Sequence, residues 1–151
     1  MEKVKWYQRN EGMTDHLVYT DKKANELDKL LKGEKTKIIR GAAGRKCPYG
    51  RVNIGDVLYF VENDGTKIIK AKCLVKSVYN SPKMEEDESN KLIDQNIKQL
   101  NLSVEQLKRW RGKKYLCLIE VENVQLIEPV KYQRENNMDD WIIVDNINEI
   151  I

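Results

Sequence analysis

The stretch that decides the fold reads LLKGEKTKIIR over residues 30–40 and, after an intervening loop, IGDVLYF over residues 54–60. Gly33 follows a segment with one apolar face, and a glycine in that place is typical of a helix C-terminus. Residues 36–40 then predict a short strand. The nearly continuous apolar run over 56–61 predicts a strand that is covered on both faces. The centre of the sequence therefore predicts a helix, a strand and a buried strand, in that order.

The segments on either side extend this pattern into a small sheet with helices between its strands. Before the central stretch, the sequence predicts a strand over 16–19 and a helix from a cap at Thr20 or Asp21 to about residue 32. After it come a hairpin turn over 63–65, a strand over 67–79, a mobile acidic loop over 80–90 and a helix over 91–100. A short helix then begins at Ser103, with Gln106 in a capping box, and ends near Trp110; it is followed by a strand over 115–121 that continues towards 130 and by a strand or helix over 141–144.

Strands in this number, with helices in the connections, predict an α+β fold. We expect a small twisted β-barrel of five to six mainly antiparallel strands, with a helix after the first strand and a helical insert before the last long strand. The length of 151 residues suits one domain over 1–151. Residues 1–15 and 131–151 are extensions to which the pattern assigns no place in the barrel.

The composition is that of a globular domain with a solvated surface. Hydrophobic residues make up 40% of the chain and charged residues 34%. No apolar run approaches the roughly 18 residues that span a bilayer, and the N-terminus lacks the apolar core of a signal peptide. We therefore expect no membrane contact and a cytoplasmic location. Three scattered cysteines and one histidine match no disulfide framework or metal-ligand spacing, so no metal and no cofactor is predicted.

Charge is distributed unevenly along the chain. Residues 1–51 hold 13 Lys and Arg against 7 Asp and Glu, whereas residues 119–151 hold 2 against 8. This asymmetry predicts a basic face and an acidic face, and a basic face attracts polyanions such as nucleic acid. The alternative, a mixed solvated surface, remains open.

A glycine-rich loop over 41–53 combines cations with an aromatic residue. Glycines let backbone N–H groups approach a phosphate, and Arg45, Lys46 and Arg51 add positive charge. Tyr49 is a candidate for stacking on a base. No Gly-Lys-Ser/Thr sequence follows, so a nucleoside triphosphate site is not predicted. The alternative is an ordinary basic surface loop.

A second basic segment, over 108–114, packs five cations and one tryptophan into seven residues. Cations such as Arg109 and Arg111 follow a phosphate backbone, and Trp110 offers a stacking platform that tolerates any base. The alternative is that Trp110 packs on the barrel while the cations are solvated. Two separate basic-aromatic segments in one chain favour nucleic-acid binding.

The central stretch resembles the ASCH family of the PUA-like superfamily. In that family a helix runs into a Gly-x-Lys-x-x-Glu-x-Arg strand, and a Gly-Asp-apolar strand follows. Gly33, Lys35 and Arg40 are in register with the first motif, and Gly55-Asp56 matches the second. The resemblance covers roughly residues 16–124. It implies a PUA-like pseudo-barrel whose cleft lies between the motif strand and the helical insert.

The resemblance also implies a class of function. Most relatives bind RNA or DNA, often at an unusual or unpaired base, and a few resemble amidohydrolases of acylated nucleobases or ribonucleases. Ile38 stands where the motif carries Glu or Thr, and Leu100 aligns with a glutamate of the amidohydrolase branch. Of the residues that the amidohydrolase branch uses together, Lys35 alone is present in this sequence. Amidohydrolase chemistry is therefore not expected, because base, nucleophile and orienting partner are needed together.

These observations favour a module whose partner is RNA or single-stranded DNA, with no catalytic residue assigned. The predicted site consists of basic and aromatic residues: Lys35, Arg40, Arg45, Lys46, Tyr49, Arg51, Arg109, Trp110 and Arg111. The alternative for Lys35 and Arg40 is a pair of ion-paired surface cations. Two other functions remain open. One is a hydrolase or ribonuclease that uses Lys35 with Thr36 and a nearby tyrosine, and the other is a protein-interaction module whose acidic C-terminal region docks a basic partner.

Overall fold

A computed structural model describes residues 12–133 and 139–151. Six strands, four α-helices and a closing 3₁₀ helix follow one another in these residues. In chain order they are β1 (Asp15–Thr20), α1 (Glu26–Leu31), β2 (Lys37–Ala42), β3 (Val57–Glu62), β4 (Ile68–Asn80), α2 (Glu86–Gln95), α3 (Ile97–Leu100), α4 (Val104–Trp110), β5 (Tyr115–Lys131), β6 (Trp141–Asp145) and the 3₁₀ helix Ile147–Glu149.

All six strands belong to one sheet, in the order β2-β5-β4-β3-β1-β6. β1 and β3 pair in parallel, and the other neighbouring strands pair antiparallel. Three register shifts interrupt the pairing of β4 with β5, and such irregularities bend strands. The sheet curls into a half-barrel. The predicted α+β fold is confirmed, including the helix after the first strand and the helical insert before the last long strand.

The curl stops short of a closed cylinder, because β2 and β6 are the two ends of the strand order. Arg40 of β2 crosses the gap between the two ends of the curl. Its Nη2 donates a hydrogen bond to the Tyr19 carbonyl of β1 at 2.8 Å. A side chain, rather than a sixth strand pairing, therefore links β2 to the far side of the half-barrel.

Three apolar clusters hold the fold together. The main cluster joins Leu27 and Leu30 of α1 to one face of the sheet, where Cys73 and Cys117 are small buried residues, as predicted. A second cluster lies under β6 and the 3₁₀ helix. The third packs the helical insert on Ile39 of β2 and on β5. Ile38 and Ile39 thus enter different clusters, as strand alternation requires.

The structure corrects the predicted start of α1 and the predicted loop over 80–90. α1 begins at Glu26 rather than near Asp21, because Asn25 adopts a left-handed φ of 53° and the residues before it form hydrogen-bonded turns. The acidic segment, predicted as a mobile loop over 80–90, instead starts α2 at Glu86. There the Glu88 carboxylate accepts the Glu85 N–H at 3.0 Å, and acidic side chains stabilise the positive end of a helix dipole.

The C-terminal region belongs in part to the sheet. Residues 141–144 were predicted as a strand or a helix, and the structure shows the strand β6, which pairs with β1. Residues 1–11 and 134–138 of the two predicted extensions lie outside the described residues. No helix in the described ranges is long and apolar enough to cross a membrane.

Candidate nucleic-acid interface

Two adjoining cavities open where β1 and β2 approach α4 and the segment before β6. The larger has a volume of about 580 Å³ and the smaller about 300 Å³. Four residues line both cavities: Arg40, Arg109, Trp110 and Asp140. We call the two cavities together the cleft, and these four residues its central wall.

Arg40 is the buried cation of the central wall, with an exposed fraction of 7%. Its Nη1 donates to the Ile39 carbonyl and its Nη2 to the Tyr19 carbonyl, each at 2.8 Å. The guanidinium carbon lies 5.9 Å from the ring centre of Trp110 and 5.6 Å from that of Trp141. Two carbonyls and two aromatic rings therefore fix the position of this cation.

Asp140 places a carboxylate between two arginines. Its Oδ2 lies 3.2 Å from Arg40 Nε and 3.3 Å from Arg109 Nη2. The Asp140 carbonyl accepts a hydrogen bond from the Tyr19 N–H at 3.0 Å, so β1 positions its backbone. The Asp140 side chain is 36% exposed and that of Arg109 63%. Asp140 and Arg109 are therefore accessible from solvent, whereas Arg40 is buried.

α4 places Arg109 and Trp110 together at its C-terminal end. The helix begins at the predicted capping box, in which Ser103 Oγ accepts the Gln106 N–H and Gln106 Oε1 accepts the Ser103 N–H. Trp110 is buried in the cluster of the helical insert, and the Arg109 guanidinium carbon lies 4.5 Å from its ring centre. Trp110 thus packs on the sheet, as the alternative interpretation had it, and also lines the cleft.

The larger cavity has a polar wall made by Glu26 and Gln106. Glu26 Oε1 accepts the Asp21 N–H at 3.1 Å, and Oε2 accepts the Gln106 side-chain amide at 3.2 Å. Both side chains are buried. Glu26 precedes Leu30 by one helical turn and so shares the buried face of α1. That spacing is the one sequence signal for Glu26, and the sequence prediction did not use it because charged side chains are normally exposed.

Lys35 lies behind this polar wall, with an exposed fraction of 1%. Its Nζ is 3.5 Å from Glu26 Oε2 and donates a hydrogen bond to the Leu100 carbonyl. Burial lowers the pKa of the Lys35 ammonium to about 8, against the attraction of Glu26. In the predicted alignment, Leu100 stands in place of a glutamate of the amidohydrolase branch. In the structure the Leu100 carbonyl contacts Lys35, and the carboxylate that pairs with Lys35 comes from Glu26 of α1. Lys35 lines neither of the two cavities.

Lys46 is the predicted cation of the glycine-rich loop that lines the cleft, together with uncharged residues of the same loop. It is exposed and lines the smaller cavity with Lys113, which follows α4. Arg45 of the same loop lies over the ring of Tyr115, 5.8 Å from its centre. Two basic segments that are more than fifty residues apart in sequence therefore face one cavity.

Three predicted site residues have other positions. Tyr49 is half-buried and its hydroxyl donates to the Ser81 carbonyl, so it anchors the loop rather than presenting a free ring. Arg111 pairs with Asp94 of α2 at 3.1 Å. Arg51 is exposed and lines neither cavity.

The structure thus brings together part of the predicted set and adds residues that were not predicted. Of the predicted residues, Arg40, Lys46, Arg109 and Trp110 line the cleft. The additions are Glu26, Gln106, Lys113 and Asp140. Within residues 12–133 and 139–151, no three His, Cys, Asp or Glu side chains converge as a metal site would require.

Comparison with known proteins places this architecture. No family model matches the chain, and no curated protein matches it. Among solved structures, the crystal structure of ASCH from Zymomonas mobilis is similar, with a TM-score of 0.59 and 14% sequence identity over 78% of this chain and 73% of that chain. Two single-substitution variants of that protein give the same TM-score and identity, and the match covers 73% and 75% of their chains. The chain therefore has the fold of these ASCH structures.

Proposed function

We propose that this chain binds single-stranded nucleic acid in the cleft, with cytoplasmic RNA as the first candidate and single-stranded DNA as the second. One observation carries the proposal: Lys46 of the glycine-rich loop and Arg109 and Lys113 from the end of α4 surround one cavity beside Trp110. Cations that follow phosphates, next to an aromatic ring, are the elements of a site for unpaired nucleotides.

The two cavities suggest a division of roles. Phosphate groups bind at the smaller cavity, through Lys46, Arg109 and Lys113. A base enters the larger cavity against Trp110 and meets the polar wall of Glu26 and Gln106. An unpaired base has a ring face and hydrogen-bonding edges. In this cavity Trp110 can contact the ring face, and Glu26 and Gln106 can contact the edges.

The remaining predicted residues receive indirect roles in this proposal. Arg45 and Arg51 add positive potential around the cleft. Tyr49 holds the loop through Ser81, and Lys35 holds Glu26 in the polar wall. Arg111 is not part of the interface, because it is paired with Asp94 on α2.

Binding is favoured over the two alternatives by two contacts. The Lys35 ammonium, which a hydrolase would need free, is held by Glu26 and the Leu100 carbonyl. The Asp140 carboxylate, which a docking surface for a basic partner would need free, is held by two arginines of its own domain.

The test is fluorescence anisotropy with labelled single-stranded RNA and DNA of equal length, between about 50 and 200 mM salt. We expect saturable binding whose log Kd rises linearly with log salt. Arg109→Gln should weaken binding about tenfold and reduce the salt slope by about one. Arg111→Gln is the matched control: it removes the same charge two residues away and should change Kd less than about twofold.

Two results would contradict the proposal. Absence of binding at the lowest salt would remove the nucleic-acid function, and an equal loss in Arg109→Gln and Arg111→Gln would remove the cleft as its site. Gel analysis of the same RNA separates binding from hydrolysis. Cleavage that disappears in Lys35→Ala would replace the proposal with the ribonuclease alternative.

A further inference from the structure

Arg40 carries a buried hydrogen-bond donor that no described residue accepts. Its Nε has no hydrogen-bond partner within residues 12–133 and 139–151, although Asp140 Oδ2 lies 3.2 Å away. The contact with Asp140 is thus an ion pair without hydrogen-bond alignment. A buried donor on a cation costs free energy when it stays unpaired. An acceptor that replaced the Asp140 oxygen in better alignment would satisfy this donor.

The Asp140 carboxylate occupies the place between the guanidinium groups of Arg40 and Arg109. Guanidinium groups bind carboxylates and phosphates with the same geometry. A phosphodiester has two anionic oxygens on one phosphorus, so one can face Arg40 Nε while the other faces Arg109. Lys46 and Lys113 line the cavity on the same side of the central wall.

We infer that Asp140 is an internal competitor of the ligand: its carboxylate holds the two arginines until a phosphate group of the bound strand takes its place. The exchange needs only rotation of the Asp140 side chain, because its backbone is held by the Tyr19 N–H and its carboxylate is partly exposed. This inference rests on the proposed function and adds the identity of the group that is displaced.

The competitor makes the cleft selective for ligands that carry a phosphate at this position. A nucleoside without phosphate has no group to replace the carboxylate, whereas a phosphodiester supplies one. Removal of the Asp140 charge should therefore strengthen binding of phosphate-bearing ligands and leave nucleoside binding unchanged.

The experiment compares Asp140→Asn with wild type in the anisotropy assay, using the single-stranded RNA, with a nucleoside and inorganic phosphate as competitors. We expect RNA and inorganic phosphate to bind about three- to tenfold more tightly to Asp140→Asn, as one nearby like charge is removed. Glu105→Gln is the matched control, since it removes the same charge from an exposed residue of α4 that lines neither cavity and should alter Kd less than about twofold.

Two further measurements test whether the gain depends on Arg109 and whether each variant is folded. In an Arg109→Gln background, Asp140→Asn should give a smaller gain, because half of the arginine pair is already absent. Thermal unfolding of every variant identifies those that are folded at the assay temperature, and Asp140→Ala replaces Asp140→Asn if the latter is not.

The outcomes separate this inference from the proposed function. If wild type binds RNA and Asp140→Asn binds no more tightly, or if Glu105→Gln gains as much, the competitor role is wrong and the RNA-binding function stands. If the gain is the same in the Arg109→Gln background, the competitor role is again wrong. If neither wild type nor any variant binds RNA at low salt, the proposed function fails and the inference fails with it.

Discussion

The indole N–H of Trp141 donates a hydrogen bond to Nδ1 of His16 at 3.0 Å. This contact places the imidazole proton on Nε2, which lies 2.9 Å from Asp56 Oδ2. All three side chains are buried, and together they join β6, β1 and the residue before β3. A neutral imidazole satisfies both neighbours, whereas a protonated imidazole cannot accept the indole N–H.

We predict that the free energy of unfolding falls as the pH is lowered from 7 towards 5. Burial lowers the pKa of His16 below its ordinary value of 6.5, and Arg51 adds to this, against the attraction of Asp56 and Asp15. The unfolded state therefore binds more protons than the folded state as the pH falls through 6.5, and stability that is complete above this value is lost below it.

Urea unfolding at a series of pH values measures this effect. The chain has one histidine, so His16→Gln should flatten the pH dependence over this interval, whatever it does to stability at pH 7. A profile of His16→Gln that runs parallel to wild type would mean that His16 is not the group responsible.

The buried pair of Glu26 and Lys35 should be strongly coupled. Glu26→Gln or Lys35→Met alone leaves one buried charge without its partner, and each should cost about 3 kcal/mol of unfolding free energy. The double variant should lose less than the sum of the two, by about 1–3 kcal/mol. Urea unfolding of the four proteins gives this coupling.

The exposed pair of Asp28 and Lys32 on the same helix is the control for that cycle. Its charged atoms are 3.0 Å apart, but the side chains are 60% and 59% exposed, and such pairs contribute little. Lys32→Met should therefore have no measurable effect. Additive losses for Glu26 and Lys35 would show that their contact contributes no coupling.

Two glycines that flank the smaller cavity should respond differently to alanine. A Cβ on Gly41 of β2 would lie 2.6 Å from Leu116 Cδ2 and 3.0 Å from the Tyr115 carbonyl oxygen of β5, whereas a Cβ on Gly44 would meet nothing within 4 Å. Gly41→Ala should lower stability by about 1–3 kcal/mol because β2 and β5 must separate. Gly44→Ala should be tolerated. Thermal unfolding distinguishes the two, and equal behaviour would contradict the close approach of β2 and β5.

Substitution of the two tryptophans beside Arg40 should have different effects on RNA binding and on stability. Trp110 lines both cavities, while Trp141 lines neither and donates to His16. Trp110→Phe should weaken RNA binding several-fold, as a smaller ring stacks less well. Trp141→Phe should lower stability by about 1–3 kcal/mol, because His16 loses its donor, and should change Kd less than Trp110→Phe does, because Trp141 lines neither cavity. The opposite pattern would exclude Trp110 from the interface.

Local sequence patterns were sufficient to predict most of the strands and the helical insert. The Ser103 capping box depends on neighbours in sequence and appears as predicted. Ile38 and Ile39 of the predicted strand enter different clusters, as strand alternation requires. The acidic start of α2 was missed because consecutive glutamates resemble a solvated loop until one of them caps a helix. The parallel pairing of β1 with β3 depends on register between distant segments, which no local pattern contains.

For the candidate site too, local sequence patterns identified some residues but not those that depend on contacts between distant segments. Trp110 and the basic residues of the cleft were identifiable by residue type and spacing. The carboxylates of Glu26 and Asp140 were not, because each acts on cations that are near only in the fold. Lys35 was expected to face a ligand, yet a partner nine residues earlier in the chain draws it into the interior.

The order of strands in the sheet also has a consequence for folding kinetics. Among the described strands, only β3 and β4 form a hairpin between segments adjacent in sequence. His16 of β1, in contrast, pairs with Leu58 of β3 and Ile143 of β6, which lie far from it in the chain. Contacts between distant segments slow folding, so we expect refolding on the millisecond-to-second timescale, with substitutions in β6 affecting the unfolding rate more than the refolding rate in stopped-flow measurements. β6 follows directly after Asp140, and we expect it to be among the last strands to dock. During refolding, Arg40 and Arg109 would therefore be open to any polyanion before their own carboxylate arrives.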